Sequence, residues 1–241
     1  MNINSLFSVF ISKKTRIFFN ENIFVFFSAS STSYTSAPCT NDLINDFQYL
    51  LKHAPHHDVV LECENESIKA HKSVLSCRSK VFEAMFRSHT KEAREGKVVI
   101  RDTSLCIFQK IIHYIYTAEI NFEDVNFACQ IYIEADKYMI ASLKERCQIF
   151  FNTYLCASCH RSELGSRVSD ACRILCLADD HSDTALQCCM ANYLADSVLL
   201  VTPEWKAFAE NNTDIAIEVY FKFLKKVNFG KSKFFKTFNV S

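Results

Sequence analysis

The chain has 241 residues, 49% of them hydrophobic, and its 27 basic side chains balance 27 acidic ones. That length suits one ordinary domain with a smaller appendage, and a neutral chain has no general field to draw in nucleic acid or an anionic membrane. The three glycines, Gly96, Gly165 and Gly230, lie more than sixty residues apart, which excludes the glycine-rich phosphate loops of P-loop and Rossmann enzymes.

Residues 1–40 read as a disordered or atypical N-terminal segment ending in a linker. Its apolar runs, Leu6 to Ile11 and Ile23 to Phe27, are split by Lys13, Lys14 and Arg16. Neither approaches the ~20 residues that span a bilayer, and a secretory leader would carry its positive charge ahead of one apolar run. Ser28 to Thr40 is serine- and threonine-rich with little to bury, the composition of a linker. The twelve cysteines occupy apolar positions of otherwise regular segments. That usage fits a reducing compartment, nuclear or cytoplasmic, better than a disulfide scaffold.

Asn41 is placed as the N-cap of an amphipathic helix to Leu51, with Leu43, Ile44, Phe47, Leu50 and Leu51 at helical spacing. Asp58 to Cys63 and Glu66 to Ala70 read as strands of a hairpin turning at Glu64 and Asn65. Val74, Leu75, Val81, Phe82, Met85 and Phe86 recur at three-to-four spacing and imply two short helices, followed by a polar loop from Ser88 to Glu95. Lys97 to Ile100 returns to strand character, and apolar stripes predict helices over Leu105–Tyr116, Val125–Tyr138 and Ile140–Leu155. Strands early and helices late argue for an α+β fold.

Cys156 to Ser166 stands out as an insertion, and a second helical group begins near Arg167. Ile174, Leu177, Ala178 and His181 share one helical face; Leu186, Cys189, Met190, Tyr193 and Leu194 share the next. Asp183 and Pro203 have the character of helix starts. From Val219 onward six lysines, at 222, 225, 226, 231, 233 and 236, are interleaved with phenylalanines and face no acidic residue, so residues 230–241 form a basic tail. Cys156 and Cys159, with His160 beside them and Cys172 and Cys176 further on, have zinc-like spacing. The latter two fall at ordinary helix positions, so no metal or other cofactor is assigned.

Three segments in order, Asp58 to Cys63, Ile68 to Leu75 and Ser79 to Phe86, resemble the BTB/POZ signature, and Phe108 to Thr117 and Ala135 to Leu143 follow as later landmarks of that family. The resemblance covers residues 41–155 and implies a BTB/POZ fold, a small sheet flanked by a helical cluster. Ala171 to Ser182 and Glu204 to Lys206 resemble the helical tail of speckle-type POZ proteins. This implies a short all-helical extension, cullin-box or BACK-like, over residues 167–229. Speckle-type proteins carry a substrate-reading MATH domain ahead of the BTB region, and none is legible in residues 1–40.

The resemblance implies a non-catalytic homodimer that recruits cullin-3 and brings an unknown protein substrate to a RING ubiquitin ligase, promoting its degradation. The dimer contacts would fall on Leu43, Phe47, Leu50 and Val74, although the same helix could simply pack on its own domain. The cullin contacts would fall on Thr90, Glu92 and Tyr138, with threonine standing where the family has a large apolar side chain. Tyr220 matches a position of tail self-association and reads equally as a core tyrosine. His71 and Asp58 read as residues that hold the fold. Neither direct nucleic-acid binding nor membrane binding is expected. The alternatives are an oligomerisation partner for full-length relatives and a BTB-type transcriptional regulator.

Overall fold

The computed structural model describes residues 38–87, 89–157 and 163–237. The chain divides into two units, residues 1–43 and 44–241; of the first, only the opening of helix α1 (Pro38–His53) is described. Helix α1 starts three residues before Asn41, with a proline at the position where its fixed φ suits a first turn. Asn41 is therefore inside the helix.

Strands β1 (Val59–Cys63) and β2 (Glu66–Ala70) are antiparallel in the register Val59↔Ala70 to Cys63↔Glu66. The two residues between them, Glu64 at φ 47° and Asn65 at φ 69°, both lie in the left-handed region. That pair of conformations matches the right-handed twist of a two-residue hairpin. In β1 the side chains of Val59, Leu61 and Cys63 point into the core, and the intervening residues are half-exposed.

Helices α2 (Lys72–Arg78), α3 (Lys80–Met85) and α4 (Lys91–Glu95) carry the chain to β3 (Lys97–Ile100), which pairs parallel with β1 and completes a sheet of order β2-β1-β3. A parallel partner cannot be reached by a tight turn, so a crossover of this kind is required. The α4 turn takes up the last five residues, Lys91 to Glu95, of the loop expected over Ser88 to Glu95. It ends at Gly96, whose φ of 63° and whose 3.1 Å approach of an added Cβ to Asp58 O exclude other residues without strain.

Helices α5 (Leu105–Thr117), α6 (Val125–Lys137) and α7 (Ala141–Cys156) follow at nearly the expected positions. Helices α8 (Leu164–Asp180), α9 (Thr184–Leu194), α10 (Pro203–Asn211) and α11 (Thr213–Thr237) form the extension. Asp183 and Thr202 cap α9 and α10, and Pro203 occupies the first turn of α10. Helix α8 starts at Leu164, inside the segment read as an insertion, and α11 runs without interruption through the point where a separate tail was placed. One apolar core, from Val59 through Phe151 to Trp205 and Val219, extends across strands, central helices and extension alike. Among the described residues no helix is long and apolar enough to cross a membrane.

Candidate protein-interaction surfaces

His71 and Asp58 tie the front of the domain together. His71 Nε2 lies 2.8 Å from Pro55 O, a carbonyl that can only accept, so Nε2 carries the proton. The bare Nδ1 then accepts from the Tyr116 hydroxyl at 2.9 Å, and the same oxygen accepts the His71 N–H at 2.9 Å. Burial pushes the Tyr116 phenol up to about 12, which keeps its proton in place for this role. Asp58 Oδ1 accepts the Lys72 N–H at 2.7 Å, and Lys72 Nζ donates to Ala93 O at 2.9 Å. Helix α4 is thereby anchored to the start of α2.

Thr90 is committed within its own loop. Its hydroxyl lies 2.5 Å from Met85 O and 2.9 Å from Arg87 O, and it accepts the Ala93 N–H at 3.1 Å as the N-cap of α4. A large apolar side chain here would forfeit the cap, worth about 1 kcal/mol. Glu92 sits half-buried in the first turn of α4, where the helix dipole favours a carboxylate. Tyr138 lies apart from both in character: it is 2% exposed and packed by Phe82 at 5.0 Å and Phe108 at 6.1 Å. Its carbonyl accepts the Ser79 hydroxyl at 2.6 Å, so its ring is core and offers no surface to a partner. The outward residue of this turn is Met139, at φ 52° and 60% exposed.

On α1, Leu43 is 57% exposed. Phe47 and Leu50, with Val74 of α2, are half-buried against the domain core. The two expectations for this helix thus divide between residues: the latter three pack on their own domain while keeping partial access to solvent. Tyr49, which periodicity left out, is 60% exposed and packs on His53 with ring centroids 4.4 Å apart. Leu51, Ile68, Gln109, Lys110, Ile112 and His113 line a cleft of about 430 Å³ between α1, β2 and α5. No linear pattern brings those three elements together.

The extension is joined to the central helices by a polar cluster around Asp183. Its Oδ2 accepts from the Tyr132 hydroxyl and from Gln148 Nε2, both at 2.6 Å, while Oδ1 accepts the Leu186 N–H at 3.0 Å. Lys144 Nζ lies 2.6 Å from Asp136 Oδ1 and 3.8 Å from Asp183, and His181 Nδ1 lies 2.7 Å from Asp136 Oδ2. Burial pushes the Asp183 carboxyl up, but the hydrogen bonds from Tyr132, Leu186 and Gln148 and the charge of Lys144 outweigh it and hold the group below its ordinary value. Burial, then Asp183, push the Tyr132 phenol up.

On α11, the Tyr220 oxygen accepts from Trp205 Nε1 at 3.0 Å, and the rings meet edge-on at 5.7 Å. Trp205 is wholly buried and Tyr220 is 41% exposed, so the tyrosine lies half in the core and half in solvent. Ile217, Phe221, Leu224 and Val227 continue an exposed apolar stripe at helical spacing. The lysines are partly engaged. Lys222 meets Glu218 at 3.8 Å, one residue outside the stretch read as lacking acids, and Lys226 Nζ donates to Asn192 O and Ala195 O at the end of α9. Cys172 is buried and its thiol is pushed up to about 12 by that burial. Cys159 and His160 lie outside the described residues.

The family model for the BTB/POZ domain matches residues 47–155. A mouse TD and POZ domain-containing protein 1-like is 29% identical over 181 residues, covering 74% of this chain and 47% of that protein. The human Kelch repeat and BTB domain-containing protein 4 is 32% identical over 144 residues, 57% of this chain and 24% of that protein. Among solved structures, the BTB domain of zebrafish PATZ1 aligns with 99% of its own length and 51% of this chain, at 22% identity and a TM-score of 0.42. The chain therefore spans about half the length, or less, of the curated relatives it matches. Beyond the BTB/POZ domain the relatives' names differ, TD-and-POZ and kelch-BTB proteins among them. Residues 47–155 of this chain are a BTB/POZ domain, followed by a helical extension.

Proposed function

We propose that the protein is a dimeric BTB adaptor that recruits cullin-3 and presents a bound protein to a RING ubiquitin ligase. It would act by proximity, without chemistry of its own, in the nucleus or cytoplasm. The observation that carries this reading is the extension. A BTB/POZ domain is followed directly by paired helices α8 and α9, held on α6 and α7 through Asp183, where speckle-type adaptors have their auxiliary cullin contact. Glu92 is half-exposed at the start of α4, in the loop where that family meets cullin. Leu43 supports self-association through α1, and the Ile217–Val227 stripe supports a second contact through the tail. Two separate self-contacts on one chain would build open assemblies rather than a closed pair.

The test is titration of the purified chain against the cullin-3 N-terminal domain by calorimetry. Micromolar or tighter binding is the expected result; silence at high micromolar concentration sinks the reading. The commitment of Thr90 to Met85 and Arg87 favours a second reading, an oligomerisation partner that modulates full-length BTB relatives. That reading predicts heterodimers with such a relative, and no cullin binding, in the same preparation.

A further inference from the structure

Helix α9 lies between two others and turns a cysteine toward each. Cys188 Sγ accepts from Lys222 Nζ of α11 at 3.2 Å and from Asn192 Nδ2 at 3.6 Å. Cys189 Sγ donates to Asn152 Oδ1 of α7 at 2.9 Å. Cys156 is one helical turn beyond Asn152, and residues four apart on a helix lie side by side on one face, with Cβ atoms about 5–6 Å apart. Cys189 therefore faces the end of α7 that carries Cys156. Cys156 is the last residue of α7, where the helix has no following turn to resist a small shift. Cys156, Cys188 and Cys189 are all exposed, so a small reagent reaches them.

We infer that Cys156 and Cys189 are a redox-active pair that forms a disulfide between α7 and α9 on exchange with a small disulfide such as oxidised glutathione. The Cys156 thiolate attacks one sulfur of the oxidant, forming a mixed disulfide and releasing one glutathione thiolate. Cys189, once deprotonated, attacks the Cys156 sulfur, closes the protein disulfide and releases the second glutathione. The protein loses two protons and two electrons, and the oxidant takes them up to become two thiols. The order follows from the surroundings. Desolvation of its sulfur, then Cys156 and Cys188, push the Cys189 thiol up, which makes it the later partner. Cys147 and Cys172, buried in the apolar core, are closed to this chemistry.

The bond would tie the last helix of the BTB/POZ domain to the middle of α9, whose N-terminus Asp183 already holds to α6 and α7. Full-length protein is equilibrated with reduced and oxidised glutathione, alkylated, and mapped by mass spectrometry after proteolysis. The expected result is loss of two of the twelve thiols and a linked pair assigned to Cys156 and Cys189. C156S and C189S each abolish the link, while C188S and C159S retain it. Glutathione adducts on Cys156 and Cys189 without a link overturn the inference, as does a link that survives C189S by moving to Cys188. Unchanged circular dichroism of the serine variants confirms that they fold.

Discussion

Replacing Asp183 by alanine should loosen the extension from the BTB/POZ domain, and the size of the effect follows from what its carboxylate holds. Loss of the α9 N-cap costs about 1 kcal/mol. The hydroxyl of Tyr132, a residue with no exposed surface, loses its acceptor, and an unsatisfied buried donor costs about 1–3 kcal/mol. Gln148 is half-buried and can turn to solvent, so it adds little. The sum is about 3 kcal/mol out of the 5–15 kcal/mol of a typical domain. Urea unfolding is the assay, with circular dichroism reporting all helices and the single tryptophan, Trp205, reporting the extension. The midpoint should fall by about 1 M. Asp183→Asn keeps one oxygen, enough for the α9 cap or for the Tyr132 hydroxyl but not for both, and should lose less than alanine, about 1–2 kcal/mol. An alanine variant no less stable than the asparagine one would refute this account of the junction. The pH dependence has a definite sign. The folded Asp183 carboxyl lies below its ordinary value of 3.8, so its contribution is complete above that value and is lost as pH falls through the lower, folded one. The stability gap between wild type and Asp183→Ala, full at neutral pH, should therefore close under acid below pH 3.8.

Thr90→Met should bind the cullin-3 N-terminal domain about tenfold or more tightly than the parent, since a buried methionine contributes on the order of 2 kcal/mol; calorimetry with unchanged affinity would count against the α4 loop as the contact. The same variant should be less stable by about 1 kcal/mol in urea, from the lost cap. Gly96→Ala should cost about 1–2 kcal/mol, because alanine at positive φ is strained and its Cβ would press on the Asp58 carbonyl; a neutral result in urea would mean that the α4–β3 turn relaxes. Tyr220→Phe should lose about 1 kcal/mol and shift Trp205 emission by removing the indole's acceptor, whereas Tyr220→Glu, examined by light scattering, should reduce any larger assembly to its smaller unit.

Much of the fold was legible because its determinants are local. The stripes of α5, α6 and α7 repeat at 3.6 residues, Glu64 and Asn65 sit between two strand-like runs, and Asp183 and Pro203 mark helix starts by chemistry that acts over three or four residues. The α4 turn escaped because Lys91 to Glu95 has no apolar residue except Ala93 and so no periodic signal; it exists through the Thr90 cap and the Lys72 tether. Tyr138 is core, although the family resemblance implies a cullin contact there: a resemblance matches a position without saying what covers its side chain, and here Phe82 and Phe108 cover it.

Local patterning alone thus determined the hairpin, most of the element order and the helical character of the extension, while the ordered motifs carried the family resemblance. The tertiary structure decided what joins them. Asp183 meets Tyr132 across 51 residues of chain and Gln148 across 35, and Trp205 meets Tyr220 from a different helix. Cys189 meets Asn152 across 37. A buried hydrogen bond is specified by the distance between its partners in space, and sequence spacing carries no record of that distance once the chain has folded back on itself.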